Sequence, residues 1–284
     1  MTSKKPVWTP FPHSSKSFDY AGEALKKAWP GLHGGDCEPF PDDKRAAALI
    51  KAAGAAGKGH DAQTLAGRLQ QAWRDFHAGR FQQAFEAGAS LGALGASTAV
   101  KAIGIHAGYL VDDEDERLRR YQRAVELAEQ AVAALPDEAN SHYRYAYALG
   151  RYGQAISIAT ALKQGLAGKI RQALDRTLAL APGHAEAHTA LALYHGEVIG
   201  KIGTLVAAMT YGAKAGEAEK HMQTALKLTP KAPIVHLEHG NLLLLLKGRK
   251  GEDEAAEAYE TAARCKPRDA MEAMDAAWAA EQIE

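Results

Sequence analysis

The stretch IRQALDRTLALAP, residues 170–182, closes on Pro182, and its pattern is written four times along the chain. The counterparts are AVELAEQAVAALP, AEKHMQTALKLTP and AAEAYETAARCKP, which close on Pro136, Pro230 and Pro267. Successive prolines lie 46, 48 and 37 residues apart. Five residues before each stands a small side chain, Ala131, Thr177, Ala225 or Ala262. Eight before stand Ala128, Leu174, Met222 and Tyr259; twelve before stand Ala124, Ile170, Ala218 and Ala255. Small residues in register are what two helices need where they cross closely, and a proline stops the second helix of a pair. Self-similarity at such a period marks a repeat architecture.

The rest of the chain reads the same way. Apolar residues recur at three and four, as in Leu118, Tyr121, Val125, Leu127, Ala128, Val132 and Leu135, which is the amphipathic helix pattern. Strand-like alternation is missing, and Pro and Gly fall mostly between periodic segments. The fold class is therefore all-α. Thirteen helices are predicted, over 17–29, 42–56, 62–78, 81–93, 97–111, 114–135, 138–163, 166–181, 185–211, 215–229, 233–247, 252–265 and 268–282.

These segments resemble the tetratricopeptide repeat family, whose unit is two antiparallel helices with small residues at the crossing and a proline after the second. The resemblance implies a right-handed superhelical array. FHAGRFQQAFEAG, residues 76–88, is a further match, with Gly79 in the turn and Ala84 at the crossing. The spacings of 46 and 48 exceed a standard unit, which is about 34 residues. The surplus, GQAISIATALKQG (153–165) and GKIGTLVAAMTYG (200–212), is apolar with helical spacing. It is expected to lengthen the first helix of each unit and to close near Gly165 and Gly212, leaving an apolar overhang that needs cover. Elongated repeats of this kind are similar to the regulator of microtubule dynamics family and to uncharacterised bacterial tetratricopeptide proteins. That likeness covers residues 120–270, and rests on residues 136–150, 166–198 and 209–230.

KAWPGLHGGD (27–36) and QAWRDFHAGR (71–80) share Leu-x-x-Ala-Trp-x-x-apolar-His-x-Gly at an offset of 44. The repeat reading makes Trp29 and Trp73 packing residues at equivalent places. Pro30 is expected to break the first copy into a loop, so residues 1–60 are read as a degenerate capping segment and 61–284 as the array.

Lys+Arg and Asp+Glu are both 34, giving a formal net charge of zero, which disfavours nucleic-acid or membrane-surface roles driven by bulk charge. Only Cys37 and Cys265 are present, without Cys-x-x-Cys spacing, so no disulfide framework is expected. MTSKKPVWTPFPHSSKSFDY has no apolar signal region, and the run Leu242 to Leu246 is far too short to span a membrane. A cytoplasmic protein is expected.

Chemistry-bearing patterns are weak. His184, His188 and His195 could share a helix stripe, and His236 and His239 flank Glu238; two histidines one turn apart can chelate a metal. Yet His142, His188 and His236 each lie six residues after a repeat-ending proline, so repeat equivalence accounts for them as packing residues. No metal and no cofactor are expected. GAAGKGHD (54–61) lacks the first glycine and the Ser or Thr of a phosphate loop and reads as a helix end and turn. In DDEDERLRRYQR (112–123) the acids suit a helix start, and a solvated helix is the expected reading of the arginines, with an acidic-partner patch the alternative. No catalytic motif is present, and no enzymatic activity is expected.

The function expected is a non-catalytic scaffold that binds a protein or peptide in a concave groove lined by first helices. The alternatives are a self-associating structural protein and, below it, a histidine-based metal-binding helical protein. The family resemblance implies that the groove is formed by Asn140, Tyr143, Tyr147 and Arg151 on one first helix, by Thr189, Leu193 and Glu197 with flanking Glu186 on the next, and by Leu237, Asn241 and Leu245 on the third. The lysine-and-asparagine clamp that some family members place on a terminal carboxylate is not matched.

Overall fold

The computed structural model of the chain describes residues 7–13 and 18–283. Among them are fifteen α-helices and three short 3-10 turns, and no strand. In order the helices are α1 Glu23–Leu32, α2 Asp43–Ala52, α3 Ala62–His77, α4 Phe81–Ala89, α5 Ala96–Leu110, α6 Glu114–Ala134, α7 Ala139–Gln154, α8 Ile158–Lys163, α9 Leu166–Leu180, α10 Ala185–Ile202, α11 Thr204–Tyr211, α12 Ala215–Leu228, α13 Pro233–Lys247, α14 Glu252–Arg264 and α15 Ala270–Glu281.

Local chemistry sets the helix starts. Asp42, Asp61, Asp113 and Asp269 each accept the backbone N–H three residues on, at 2.7–2.8 Å, filling donors that a first turn leaves open. Pro233 opens α13 at a position where its missing N–H is not needed.

Two predicted long helices are broken. The span 138–163 is α7 and α8, separated at residues 155–157, and 185–211 is α10 and α11, separated at Gly203. Ser157 caps α8 by accepting the Thr160 N–H. Gly203 has φ +79° and ψ 155°, open only to glycine at low cost, so the chain is re-aimed there and the surplus residues become short separate helices. The expected closing glycines are present, Gly165 at φ +64° and Gly212 at φ +63°. Pro30 does not break its helix. It lies inside α1, and the Trp29 carbonyl still accepts the His33 N–H at 2.9 Å; near a C-terminus one missing bond is tolerable. Residue 17, the first of that predicted span, lies outside the described residues.

The chain divides into two compact units, residues 1–28 with 39–166, and residues 29–38 with 167–284. The segment 1–60 is thus shared between both. In the first unit α3, α5 and α7 pack in succession, and α4 and α6 form the second layer. One core joins Ala46 and Leu49 of α2 to Leu65 and Leu69 of α3 and to Leu91, Leu94 and Leu135. Another joins Ala99, Val100 and Ile103 of α5 to Ala124, Leu127 and Ala128 of α6 and Ala148 of α7. In the second unit α10, α13 and α15 pack in succession, with α12 paired to α10 and α14 to α13. Ala218, Met222 and Ala225 of α12 meet Ala192, Val235 and Leu242. Ala225 and Ala262 are fully buried, as their place at helix crossings requires.

The two Trp-His segments serve packing in different units. Trp73 stacks on His77 with centroids 5.8 Å apart, and both are buried in the first unit. In the second, Trp29 stacks on His33 at 4.0 Å, and His33 Nδ1 lies 2.9 Å from Asp36 Oδ1. The Gly35 carbonyl accepts the Glu186 N–H at 2.9 Å, and the Arg268 guanidinium donates to the Gly31 carbonyl.

Candidate functional site

The three groove stripes lie on α7, α10 and α13, helices that belong to different units. On α7, Asn140 and Tyr143 are buried, 7% and 6% exposed. Tyr147 is half-buried, with the Arg151 guanidinium 5.7 Å from its ring centroid. Burial pushes the Tyr147 phenol up to about 12. Gly104 of α5 faces that ring, and a Cβ there would collide with it. Arg151 also donates to Gln154 at 3.3 Å.

On α10 the Thr189 hydroxyl donates to the Ala185 carbonyl at 3.0 Å and is buried. Leu193 packs, half-buried, against the α12 core. Glu197 receives Lys201 at 3.2 Å. Glu186 lies under the 29–38 segment, its side chain 3.3 Å from where a Cβ on Gly35 would stand. On α13, Leu237 is 3% exposed and belongs to the core shared with α14. Asn241 donates to Glu238 and accepts the Tyr259 hydroxyl, both at 2.8 Å. Leu245 is exposed. Asn140, Tyr143, Thr189 and Leu237 are therefore largely covered within the fold, where groove positions were expected. For Leu237 the cover comes from α14 and α15, neighbours that counting along one helix does not register. Tyr147, Arg151, Leu193, Glu197 and Asn241 keep partial exposure.

The histidines have specific work. Nε2 of His142, His188 and His236 meets the carbonyl of Pro136, Pro182 and Pro230 at 2.8, 3.1 and 2.8 Å. A carbonyl only accepts, so each ring donates there and pins the turn before its helix. These three are half-buried turn fasteners at equivalent places in their repeats, where packing residues were expected. His184 Nδ1 accepts the Ala187 N–H and caps α10. With its proton on Nε2, His188 accepts at Nδ1 the hydrogen bond that His221 Nδ1 donates at 2.8 Å, a contact no sequence spacing reveals because His221 is on α12. Burial, then His188 and His195, hold His221 down at about 4. Among the described residues no group of three or more His, Cys, Asp or Glu side chains is arranged to hold a metal ion.

Arg120 escapes the solvated-helix expectation. It is 4% exposed, with Nε 2.7 Å from Glu116 and Nη1 2.6 Å from His106 Nδ1. Asp113 and the acids of residues 114–116 do occupy the start of α6. Residues 54–57 form a 3-10 turn and Asp61 caps α3, so the glycine-rich stretch is a helix connection.

A family model described as regulator of microtubule dynamics protein 1-3 matches residues 101–281, more than half of the chain. The chain belongs to that family. A search of curated proteins finds no match. The regulator of microtubule dynamics match runs from within α5 to the end of α15 and so includes every groove position and both broken helix pairs. Residues 7–13 and α1 to α4 precede it. No helix among the described residues is long and apolar enough to cross a membrane.

Proposed function

We propose that the protein is a non-catalytic scaffold that binds a protein or peptide partner on the face presented by its first helices, in the manner of a tetratricopeptide array. The observation that carries this reading is the succession of first helices, α3, α5 and α7 in one unit and α10, α13 and α15 in the other. Stacked repeats of that kind present an extended face, and here it carries Tyr147 and Arg151, residue types that dominate binding hot spots. The family is named for microtubule dynamics; a protein partner is what such a role asks of a scaffold. A balanced net charge favours a mixed apolar and polar peptide over nucleic acid, and the reading needs neither cofactor nor metal in a cytoplasmic setting.

The test is capture from native lysate by the parent protein and by a Tyr147→Ala, Arg151→Ala double variant. Loss of the captured partner at unchanged circular dichroism supports the groove. A folded double variant that captures the partner as well as the parent does places the site elsewhere.

Self-association is a second reading, favoured by α11, where Leu205 is 74% and Met209 80% exposed. Two such side chains one turn apart form an apolar stripe that water covers poorly. A monomeric mass in light scattering across the micromolar range would remove it.

A further inference from the structure

Residues 7–13 form neither helix nor strand, yet they are held in place by the first unit through contacts of two kinds. The first kind reads the main chain. Arg120 Nη2 donates to the Val7 carbonyl at 2.8 Å, and His106 Nε2 donates to the Thr9 carbonyl at 3.0 Å. Carbonyls two residues apart face the same way in an extended chain, so one pair of side chains takes both. The second kind reads side chains. Trp8 lies against the Arg120 guanidinium, 4.4 Å from its ring centroid, and meets the rings of His106 at 4.6 Å and Phe85 at 5.5 Å. Phe11 rests on Gly79, where an added Cβ would come within 2.7 Å of it. Pro10 and Pro12 flank Phe11 and keep it extended.

The donors are set independently of what they hold. Glu116 fixes Arg120 through Nε, and Arg120 Nη1 donates to His106 Nδ1. With Nδ1 accepting, the neutral His106 ring must carry its proton on Nε2, the atom aimed at the Thr9 carbonyl. Within residues 7–12, Val7, Thr9, Pro10 and Pro12 are exposed, and only Trp8 and Phe11 sink in, each halfway. A cavity of about 440 Å³ remains beside them, bordered by Gly79, Arg80, Phe81 and His106. Main-chain reading by fixed donors, an aromatic anchor pocket and proline-stiffened chain together are the chemistry of extended-peptide recognition.

We propose that this seat is a peptide-recognition site whose resident occupant is the chain's own segment 7–12, displaced by a partner segment that carries a tryptophan and, three residues on, a proline-flanked phenylalanine. It shares no residue with the stripes of α7, α10 and α13, and survives or fails independently of the groove reading.

The test uses the full chain with Trp8→Ala and Phe11→Ala, which removes both aromatic anchors of the resident segment, and a fluorescent peptide VWTPFP. The peptide binds the variant at least tenfold more tightly than the parent protein, and the peptide VATPFP does not bind. A variant that keeps its circular dichroism and ignores VWTPFP at millimolar concentration overturns the proposal. Should the variant not fold, the parent protein labelled with 5-fluorotryptophan replaces it, the Trp8 resonance being assigned through Trp8→Phe. Added VWTPFP then moves that resonance to its solvent-exposed position; a resonance that stays put up to millimolar peptide overturns the proposal. A mixed dimer formed between parent and variant assigns the seat to a second copy and also overturns it.

Discussion

Both ring nitrogens of His106 are engaged, one by the Thr9 carbonyl and one by Arg120. A second proton would have to point at a guanidinium. Burial first, and then the Arg120 charge, hold His106 at about 4, against 6.5 in an open chain. The unfolded chain therefore binds more protons between those values. Stability is full above about pH 6.5 and is lost as pH falls toward 4, and His221 contributes in the same direction and window. Urea midpoints at pH 7 and pH 4.5 check this. His106→Gln is expected to lower the midpoint at pH 7 and to flatten its fall toward acid. A second residue-scale test is Gly240. A Cβ there would overlap the Tyr259 ring, which is buried and bonded to Asn241. Gly240→Ala is expected to cost about 1–3 kcal/mol by overpacking, read in thermal melts.

At the scale of elements, the two surplus segments decide what α7 and α10 can do. Continued as single helices they would have carried their apolar faces straight on. Broken at residues 155–157 and at Gly203, they turn those faces outward, and Ile158, Leu162, Leu205, Val206 and Met209 are exposed. Gly203→Ala is expected to destabilise the protein by about 1–3 kcal/mol, because only glycine adopts that backbone conformation without strain. Leu205→Ser with Met209→Ser is expected to leave the melting midpoint unchanged within the effect of ordinary surface substitutions, about 0.5 kcal/mol. If α11 is where copies meet, the same change lowers the mass in light scattering.

At the scale of the molecule, a repeat array distributes its stability among neighbours. Ala225 is fully buried where α12 crosses α10 and α13. Ala225→Arg combines overpacking with a buried unpaired charge, at a cost of roughly 3 kcal/mol or more. Hydrogen exchange should lose protection first in α10, α12 and α13, while α3 to α6 in the other unit keep theirs. Protection lost evenly over all helices would mean that the chain unfolds as one cooperative block.

Helix content, helix order and most helix ends were legible in the sequence, because they depend on short-range facts: apolar spacing, closing glycines and prolines after the second helices. The small residues before Pro136, Pro182, Pro230 and Pro267 are all buried, and Ala225 and Ala262 lie where helices meet, since close approach admits no larger side chain. The breaks at residues 155–157 and at Gly203 were not legible, because the residues on either side keep helical periodicity and a single Ser157 or Gly203 does not by itself say that a helix stops. Nor was the burial of Asn140, Tyr143, Thr189 and Leu237, which depends on how neighbouring helices pack. The same holds for the His188–His221 pair and for Arg120 with His106 and residues 7–9. Periodicity tells which face of a helix is apolar; which side chain from a distant part of the chain covers that face is decided only by tertiary packing.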